Sequence, residues 1–314
     1  MLRRLTLALM ATAVASISAQ QRTEPTGQVK SDQVFQTSVE VVNVTATVTD
    51  PDGRLVGDLE LDAFTIHENG QEQEITQFYR GRVPVSLGIV LDVSDSMRGR
   101  RMDDARFALE RFVSELLEPT DEVFLVAFNH APELLAPWTT PPGDIGRPLD
   151  DVRPFGGTAI YDAMEEAIPR FRDRAHQRAA ILLISDGSDT ASDANVRDIK
   201  RQLRRSDAFV YAIAIDDEEK RAINDRVNEF TLMEMTDESG GYTEVVHSID
   251  DLGPATARIA AELNQQYMLG YTPVAPPDNR FRAIRVRIKS GTYTVRARKG
   301  YTAIPFEERR NTDR

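Results

Sequence analysis

Five side chains that offer oxygen to a ligand stand at three separate places in the chain. Asp92, Ser94 and Ser96 follow an apolar segment at alternate positions, Thr158 follows a pair of glycines, and Asp186 follows a second apolar segment. None of the 4 histidines is close to them in sequence, and the chain has no cysteine. A set made only of oxygen donors suits Mg²⁺, Mn²⁺ or Ca²⁺ better than zinc or copper. The sequence therefore predicts a site for a hard divalent cation.

The segments around these residues predict how they are brought together. V85-S-L-G-I-V-L91 and A179-A-I-L-L-I184 are apolar throughout, which is typical of strands buried on both faces of a parallel sheet. Strands and helices alternate from residue 84 to residue 266, which predicts a doubly wound, mostly parallel α/β sheet with helices on both faces. In such sheets ligands bind at the carboxyl ends of the strands, where the strand order reverses. Asp92 and Asp186 lie at two such ends.

The segments on either side of this region read as β structure. Residues 35–80 and 267–304 alternate apolar and polar side chains and are interrupted by turn sequences such as D50-P-D-G53. S290-G291, between two alternating segments, predicts a hairpin turn. Neither segment has enough strands to be stable by itself. We therefore expect the two segments to pair into one discontinuous β domain, followed by a tail at residues 305–314.

Composition excludes several classes of function. The 314 residues are 41% hydrophobic and 28% charged, so the chain can bury a core. The formal net charge of −12 argues against general nucleic-acid binding. The absence of cysteine excludes disulfides, thiol catalysis and thiolate zinc sites.

The first residues carry an export pattern. Arg3 and Arg4 precede an apolar run that is too short to span a bilayer, and small residues end at Ala19. Residues 1–19 are therefore expected to be a cleaved signal peptide, with a retained membrane anchor as the alternative, and residues 20–34 a flexible leader. The mature chain, with no further long apolar segment, is expected to be periplasmic or extracellular.

The five oxygen donors resemble the metal-ion-dependent adhesion site of von Willebrand factor A (VWA) domains. D92-V-S94-D-S96, Thr158 and Asp186 match the family's Asp-x-Ser-x-Ser, Thr and Asp in order and in the corresponding elements. The whole chain is similar to secreted bacterial proteins of the VWFA-related type, through segments such as D62-A-F-T-I-H-E-N-G70 and K299-G-Y301. Asp95 stands where the family often has glycine, which adds negative charge without removing a ligand.

The resemblance implies a role for each group. In the family the two serines, and sometimes the threonine, contact the metal, while the aspartates often hold its water molecules. A carboxylate of a partner protein supplies the sixth oxygen. A cation held largely by neutral hydroxyls keeps positive character and attracts such a carboxylate. Asp95 and Asp189 are close enough in sequence to contact metal-bound water, although solvated loop positions are the simpler interpretation.

Other interpretations of the same residues remain open. Asp92, Ser94 and Ser96 can cap the following helix, but that leaves Thr158 and Asp186 unexplained. A metal-dependent hydrolase can use the same ion as a Lewis acid, but no general base or nucleophile can be assigned. A third interpretation is a scaffold in which the metal only stabilises the fold. The sequence favours an exported, non-enzymatic, metal-dependent protein-binding module.

The last β segment is strongly basic. Its eight cationic residues between positions 279 and 306 are Arg280, Arg282, Arg285, Arg287, Lys289, Arg296, Arg298 and Lys299. In isolation this pattern suggests an anionic partner. Because the cations at 285, 287 and 289 alternate with Ile284, Val286 and Ile288, the favoured interpretation is the solvated face of a half-buried strand. Packing against acidic residues elsewhere in the chain is a third possibility.

Overall fold

The strands and helices follow the predicted order. A computed structural model describes residues 41–142, 145, 147–185, 189–215 and 229–305, so the predicted signal peptide and leader lie outside the described residues. The strands are β1 Val42–Thr49, β2 Phe64–Glu68, β3 Gln71–Gln73, β4 Ile75–Tyr79, β5 Val85–Asp92, β6 Glu122–Phe128, β7 Pro132–Thr139, β8 Arg178–Ser185, β9 Phe209–Ile215, β10 Thr243–Val246, β11 Tyr267–Tyr271, β12 Phe281–Ile288, β13 Thr294–Ala297 and β14 Gly300–Thr302. The α-helices are α1 Arg100–Arg111, α2 Ile160–Ala167, α3 Val196–Leu203, α4 Glu229–Ser239 and α5 Leu252–Gln265.

A six-stranded sheet forms the centre of the α/β region, in the order β10-β9-β8-β5-β6-β7. All neighbouring strands are parallel except β7, which runs antiparallel to β6 at the edge. The chain passes from β5 to β6 on one side and later returns to β8 on the other side. The order therefore reverses between β5 and β8, as the sequence predicted, and the α/β fold class is confirmed.

Strand β5 is buried along its whole length because helices cover both faces of the sheet. Leu87, Ile89 and Leu91 share one core with residues of α1 and α5, while Val90 belongs to a second core with residues of α2, α3 and α4. Gly88 lies under the ring of Phe124, and a Cβ at this position would be 2.4 Å from the ring. The apolar run of β5 therefore reflects burial on two faces.

One strand of the sheet was missed by the sequence analysis. The segment between β6 and Gly157, which is rich in proline and glycine, contains β7. Prolines at 132 and 137 interrupt the alternation that would reveal a strand, and an edge strand tolerates them because one side needs no hydrogen-bonded partner. β7 carries Trp138, whose ring packs edge-on against Phe124 at 4.6 Å between centroids.

The flanking segments form two four-stranded sheets with one shared core. Their orders are β13-β1-β11-β4 and β14-β12-β2-β3, so each sheet combines two strands from before β5 with two strands from after α5. Ser290 and Gly291 were expected at a hairpin turn, but β12 pairs with β2 and β14, while β13 pairs with β1. The turn between β12 and β13 therefore passes from one sheet to the other. We call the two sheets together the sandwich.

A buried glutamate connects the sandwich to the α/β region. The Oε1 atom of Glu262 in α5 accepts hydrogen bonds from the hydroxyl of Thr47 in β1 (2.9 Å) and of Tyr211 in β9 (2.8 Å). Its other carboxylate oxygen pairs with Arg296 of β13. Arg296 is one of the cations of the basic segment. For this residue the third possibility, packing against acidic residues elsewhere in the chain, applies.

A second buried carboxylate lies inside the sandwich. Glu68 Oε2 accepts hydrogen bonds from the hydroxyls of Tyr271 (2.7 Å) and Tyr301 (2.9 Å), and its Oε1 atom is 3.4 Å from a guanidinium nitrogen of Arg282. Burial, together with the hydrogen bond to Glu68, raises the pKa of Tyr301 to about 12. Arg282 is thus also a core cation rather than a surface one.

No helix in the described part of the chain is long and apolar enough to cross a membrane. All of the described residues belong to one compact unit that begins at Val39.

Candidate functional site

Asp92 is the last residue of β5 and is fully buried. Its Oδ1 atom accepts a hydrogen bond from the backbone N–H of Ser94 at 2.8 Å. Its Oδ2 atom accepts one from the hydroxyl of Ser185, the last residue of β8, at 2.6 Å. A buried carboxylate is costly unless donors surround it, and these contacts meet that need while fixing the orientation of the group. The carboxylate therefore joins the carboxyl ends of the two strands between which the sheet order reverses.

Ser94 and Ser96 lie on the turn that follows β5. Their Oγ atoms are 2.9 Å apart, with Ser94 buried and Ser96 exposed. Met97 is fully buried next to them and anchors the short 3₁₀ turn Asp95–Met97. The two hydroxyls therefore lie side by side where the buried strand end meets the surface.

The helix-cap alternative is wrong for these residues. α1 begins at Arg100, and its N-cap residue is Gly99. Asp92, Ser94 and Ser96 therefore do not occupy the cap position of that helix.

The glycine-threonine loop packs against the same turn. Gly156 has a φ of 81°, a left-handed conformation that glycine adopts without strain, and its carbonyl accepts a hydrogen bond from the N–H of Asp95 at 3.0 Å. The N–H of Phe155 donates to the carbonyl of Val93 at 3.0 Å. These two bonds hold the start of the loop beside the serine turn, and Thr158, only 5% exposed, follows directly.

The loop after β8 completes the group of three loops. The N–H of Thr158 donates to the hydroxyl of Thr190 at 3.0 Å, and the carbonyl of Thr158 accepts from the N–H of Thr190 at 2.8 Å. The structure therefore brings three parts of the chain together. They are the turn with Ser94 and Ser96, the loop with Thr158, and the residues on both sides of the segment 186–188. Asp186 itself lies outside the described residues, so its part in the site remains a prediction.

The two additional aspartates have other contacts. Asp95 is exposed, and its Oδ1 atom is 2.6 Å from a guanidinium nitrogen of Arg98. Asp189 Oδ1 accepts hydrogen bonds from the N–H of Ile160 (2.8 Å) and the hydroxyl of Ser192 (2.5 Å), so it caps the first turn of α2. Burial, with a contribution from the charge of Asp189, raises the pKa of Tyr161 in that turn. Contact of Asp95 and Asp189 with metal-bound water stays a prediction.

The described donors fit a small divalent cation. Adjacent ligands of octahedral Mg²⁺ at about 2.1 Å from the ion are about 3 Å apart, and the serine hydroxyls are separated by 2.9 Å. Among the described residues, no group of three or more His, Asp or Glu side chains is placed to hold a metal ion, and the described donors here are hydroxyl groups together with Asp92. Such a donor set is suited to a cation that keeps most of its positive charge.

Sequence reasoning missed two features of the site. The first is Ser185, which holds Asp92 and immediately precedes Asp186 in the sequence. Its place at the end of a strand beside β5 is the signal from which its contact with Asp92 could be predicted. Phe155 is 51% exposed beside the serine turn, with its ring 5.5 Å from that of His130. Nothing in the sequence pattern distinguished Phe155 or His130, because the contact depends on how the loops after β6 and β7 meet.

Comparison with known proteins identifies the α/β region. Residues 87–188 match the model of the von Willebrand factor type A domain. The chain is 26% identical over 136 residues to inter-alpha-trypsin inhibitor heavy chain H2 of Mus musculus, a match that covers 40% of this chain and 14% of that protein. It is 27% identical over 146 residues to heavy chain H4 of Homo sapiens, covering 42% and 15%. The chain thus spans well under a fifth of the length of these relatives.

Solved structures share the fold at low sequence identity. A von Willebrand factor type A protein from Catenulispora acidiphila has a TM-score of 0.50 and 12% identity, with 78% of this chain and 75% of that chain covered. Proximal thread matrix protein 1 from the mussel byssus, in a structure described as having a zinc-occupied MIDAS motif, has a TM-score of 0.51 and 17% identity, with 61% and 48% covered. The family model confirms a VWA domain at residues 87–188, and the solved structures share its fold. The wider resemblance to secreted bacterial proteins stays a prediction.

Proposed function

We propose that the von Willebrand factor type A domain of this chain is a metal-dependent protein-binding module, acting in adhesion or as a scaffold. The observation that carries the proposal is the arrangement at the end of β5. A buried, hydrogen-bonded Asp92 lies directly behind two hydroxyls, and Ser96 opens to solvent. This arrangement presents neutral donors outward and keeps the negative charge inside.

Five residues would hold the ion. Ser94, Ser96 and Thr158 contribute hydroxyl oxygens, while Asp92 and Asp186 contribute carboxylates, directly or through water. Mg²⁺ is the proposed ion, with Mn²⁺ and Ca²⁺ as alternatives, because all five donors are oxygen. When bound, the ion supplies a positive centre with one ligand position for a carboxylate from a partner.

The partner is proposed to be a protein that presents Asp or Glu. Both oxygens of Asp92 accept hydrogen bonds from the chain, which limits how much negative charge reaches the outer side of the site. Near the opening, the carboxylate of Asp95 is 2.6 Å from Arg98, and both side chains are more than half exposed, so the pair offsets only part of that negative charge. An incoming carboxylate therefore meets the neutral hydroxyls first and Asp95 only at the rim of the site.

The structure gives little support to a hydrolase at the same position. A general base must have a free lone pair within reach of the water that it activates. Asp92 and Asp189 use carboxylate oxygens for hydrogen bonds within the protein, and Asp95 is paired with Arg98. The described acids nearest the serines thus have structural contacts, which favours binding over catalysis.

Export is proposed on the sequence of residues 1–19 alone. Those residues lie outside the described part of the chain. A periplasmic or extracellular location fits a module that binds another protein through a divalent cation, since both compartments supply such ions.

The test compares binding of a captured protein with and without the ion. Proteins retained by the immobilised full-length chain in Mg²⁺ are released with EDTA, and each is purified for affinity measurement. Binding should be lost in EDTA and recover with Mg²⁺ or Mn²⁺. It should fail for Ser94→Ala and persist for Ser114→Ala, an exposed serine outside the three loops. Zn²⁺ belongs in the series because the mussel protein holds it at its motif.

Two outcomes would contradict the proposal. One is an affinity that does not change when the chelator is added. The other is an affinity that survives replacement of each acidic residue of the partner at the interface by Ala. Moderate salt should weaken binding less than EDTA does, because a coordinated carboxylate is screened less than surface charges are.

A further inference from the structure

The sandwich has a cationic cleft that the proposed metal site does not use. The cleft has a volume of about 720 Å³ and is lined by residues 283–287 of β12 together with residues of the segment 295–299. Its lining includes His67, Arg285, Arg287, Val295, Ala297 and Lys299, and no Asp or Glu is among the lining residues. The chain as a whole carries a formal charge of −12, so this local excess of positive charge runs against the overall balance.

Three arginines line the cleft, and two of them, Arg285 and Arg287, are available to a ligand, whereas the guanidinium of Arg298 stacks on the ring of Tyr301. Arg285 and Arg287 are exposed, and neither guanidinium group makes a hydrogen bond or ion pair with the described residues. In contrast, Arg282 and Arg296 of the same basic segment pair with Glu68 and Glu262. Internal packing therefore accounts for some cations of the segment and leaves these two without a role.

Acidic groups near the cleft offset little of its charge. The ammonium of Lys299 is 3.5 Å from a carboxylate oxygen of Asp237, but both side chains are more than half exposed, so the pair is weak. Glu72 lies opposite His67 in the pairing of β2 with β3 and is exposed, but it does not line the cleft. The cleft thus presents a positive surface to a ligand.

The spacing of the two guanidinium groups matches an extended peptide. Arg285 and Arg287 are two residues apart on a strand and point to the same face, as the alternating burial of β12 shows. Their spacing along the strand is about 6.7 Å, the same as the distance between alternate side chains of any extended peptide. A ligand with acidic residues at every second position can therefore pair one carboxylate with each arginine.

One edge of β12 is open next to these arginines. β14 pairs with β12 only at Phe281–Ala283, whereas β2 pairs on the opposite edge from Ile284 to Ile288. The backbone N–H of Ile284 still reaches the carbonyl of Lys299 at 2.9 Å, but no described strand continues along that edge beyond it. An added strand can bond to this edge through its main chain, as in β-augmentation.

We propose that this cleft binds an acidic peptide segment in extended conformation, which adds along the open edge of β12. The apolar wall of Val295 and Ala297 accepts the side chains between the acidic ones. In an added antiparallel strand, opposite Cβ atoms are about 5 Å apart, so Asp or Glu at alternate positions face Arg285 and Arg287. The site does not need the divalent cation.

The test uses a fluorescent eight-residue peptide of alternating Thr and Glu, titrated with the full-length protein in EDTA. Fluorescence anisotropy should report binding that weakens as salt increases. Arg285→Gln combined with Arg287→Gln should weaken it at least about ten-fold, because two ion pairs next to a partly desolvated edge are lost. Arg280→Gln combined with Arg54→Gln is the matched control, since it removes the same charge from exposed positions outside the cleft.

Two further peptides separate strand register from general attraction. A peptide with Gln in place of Glu should not bind, and one with four Thr followed by four Glu should bind several-fold more weakly than the alternating one. The proposal is overturned if the cleft variant binds like the wild type, if the control variant loses as much affinity, or if the block peptide binds equally well. The last result would indicate a diffuse cationic surface that binds any polyanion. Circular dichroism of both variants checks that the fold is intact.

Discussion

The hydroxyl of Ser185 donates a hydrogen bond to Oδ2 of Asp92 at 2.6 Å, and this contact connects the ends of β5 and β8. The two residues are 93 positions apart in the chain, and both are fully buried. The contact holds the carboxylate behind Ser94 and Ser96 before any ligand arrives. A site that is already shaped loses less free energy on binding than one that must be ordered.

Replacing Ser185 by Ala should reduce both stability and the response to metal. The substitution leaves a buried carboxylate oxygen without this donor, which costs about 1.5–3 kcal/mol in the free energy of unfolding. Urea denaturation in EDTA measures that loss. Ser185→Thr keeps the hydroxyl and should restore most of the metal response. An Ala variant with unchanged stability would show that the hydrogen bond does not hold Asp92.

Divalent cations should raise the apparent stability of the protein. An ion that binds only the folded state adds roughly 2.7 kcal/mol at a hundred-fold excess over its Kd. Melting curves in Mg²⁺, Mn²⁺ and EDTA should therefore differ for the wild type and for Ser114→Ala. They should coincide for Asp92→Ala and for Ser96→Ala, where the second variant changes an exposed residue and preserves the fold. A normal metal response in both site variants would place the ion elsewhere.

Among polar residues, Glu262 should be one of those whose substitution lowers the free energy of unfolding most. Glu262→Ala leaves Thr47, Tyr211 and Arg296 without their shared acceptor. The loss is expected to be about 3 kcal/mol, because an arginine that is partly buried loses its partner. Glu244→Ala is the control, since its partner Arg258 is largely exposed and such pairs contribute less than about 1 kcal/mol. Equal losses in urea denaturation would contradict this assignment.

The sandwich should not form without the last four strands. Truncation after Gln265 removes β11, β12, β13 and β14, which provide the pairing partners of β1, β2 and β4. Limited proteolysis should then cut within residues 42–79 while the α/β region remains resistant. This experiment also tests the predicted domain boundaries at residues 80–84 and 266–267. Equal resistance of the 42–79 segment in the truncated and full-length proteins would count against a shared β domain.

Alkaline pH should destabilise the sandwich through Tyr301. Burial, with the hydrogen bond to Glu68, raises the pKa of Tyr301 to about 12, above its ordinary value of about 10. The folded state therefore holds the phenol proton more tightly than the unfolded state does. The resulting stabilisation is complete below about pH 10 and is lost as the pH rises through 12. Urea denaturation between pH 9 and 11.5 should show a steeper decline for the wild type than for Tyr301→Phe, and parallel declines would contradict this role.

The sequence predicted the α/β fold because the relevant signals are local. The continuous apolar runs of β5 and β8 indicated strands buried on both faces, and the alternation of strands with helices indicated a parallel sheet. Chain order then placed Asp92 at a strand end next to the reversal of strand order. The order of the oxygen donors along the chain indicated the VWA domain.

Tertiary structure decided the features that depend on distant residues. The sequence does not predict β7, because prolines interrupt its pattern. It predicts a hairpin at Ser290 and Gly291, because local sequence cannot show which strands pair. The basic segment reads as one cationic strand pair in sequence. In the structure, Arg282 and Arg296 are paired with buried glutamates, whereas Arg285 and Arg287 face a cleft. Side chains of one type acquire different roles because burial and charge partners come from elements far away in the chain, and only folding brings those elements together.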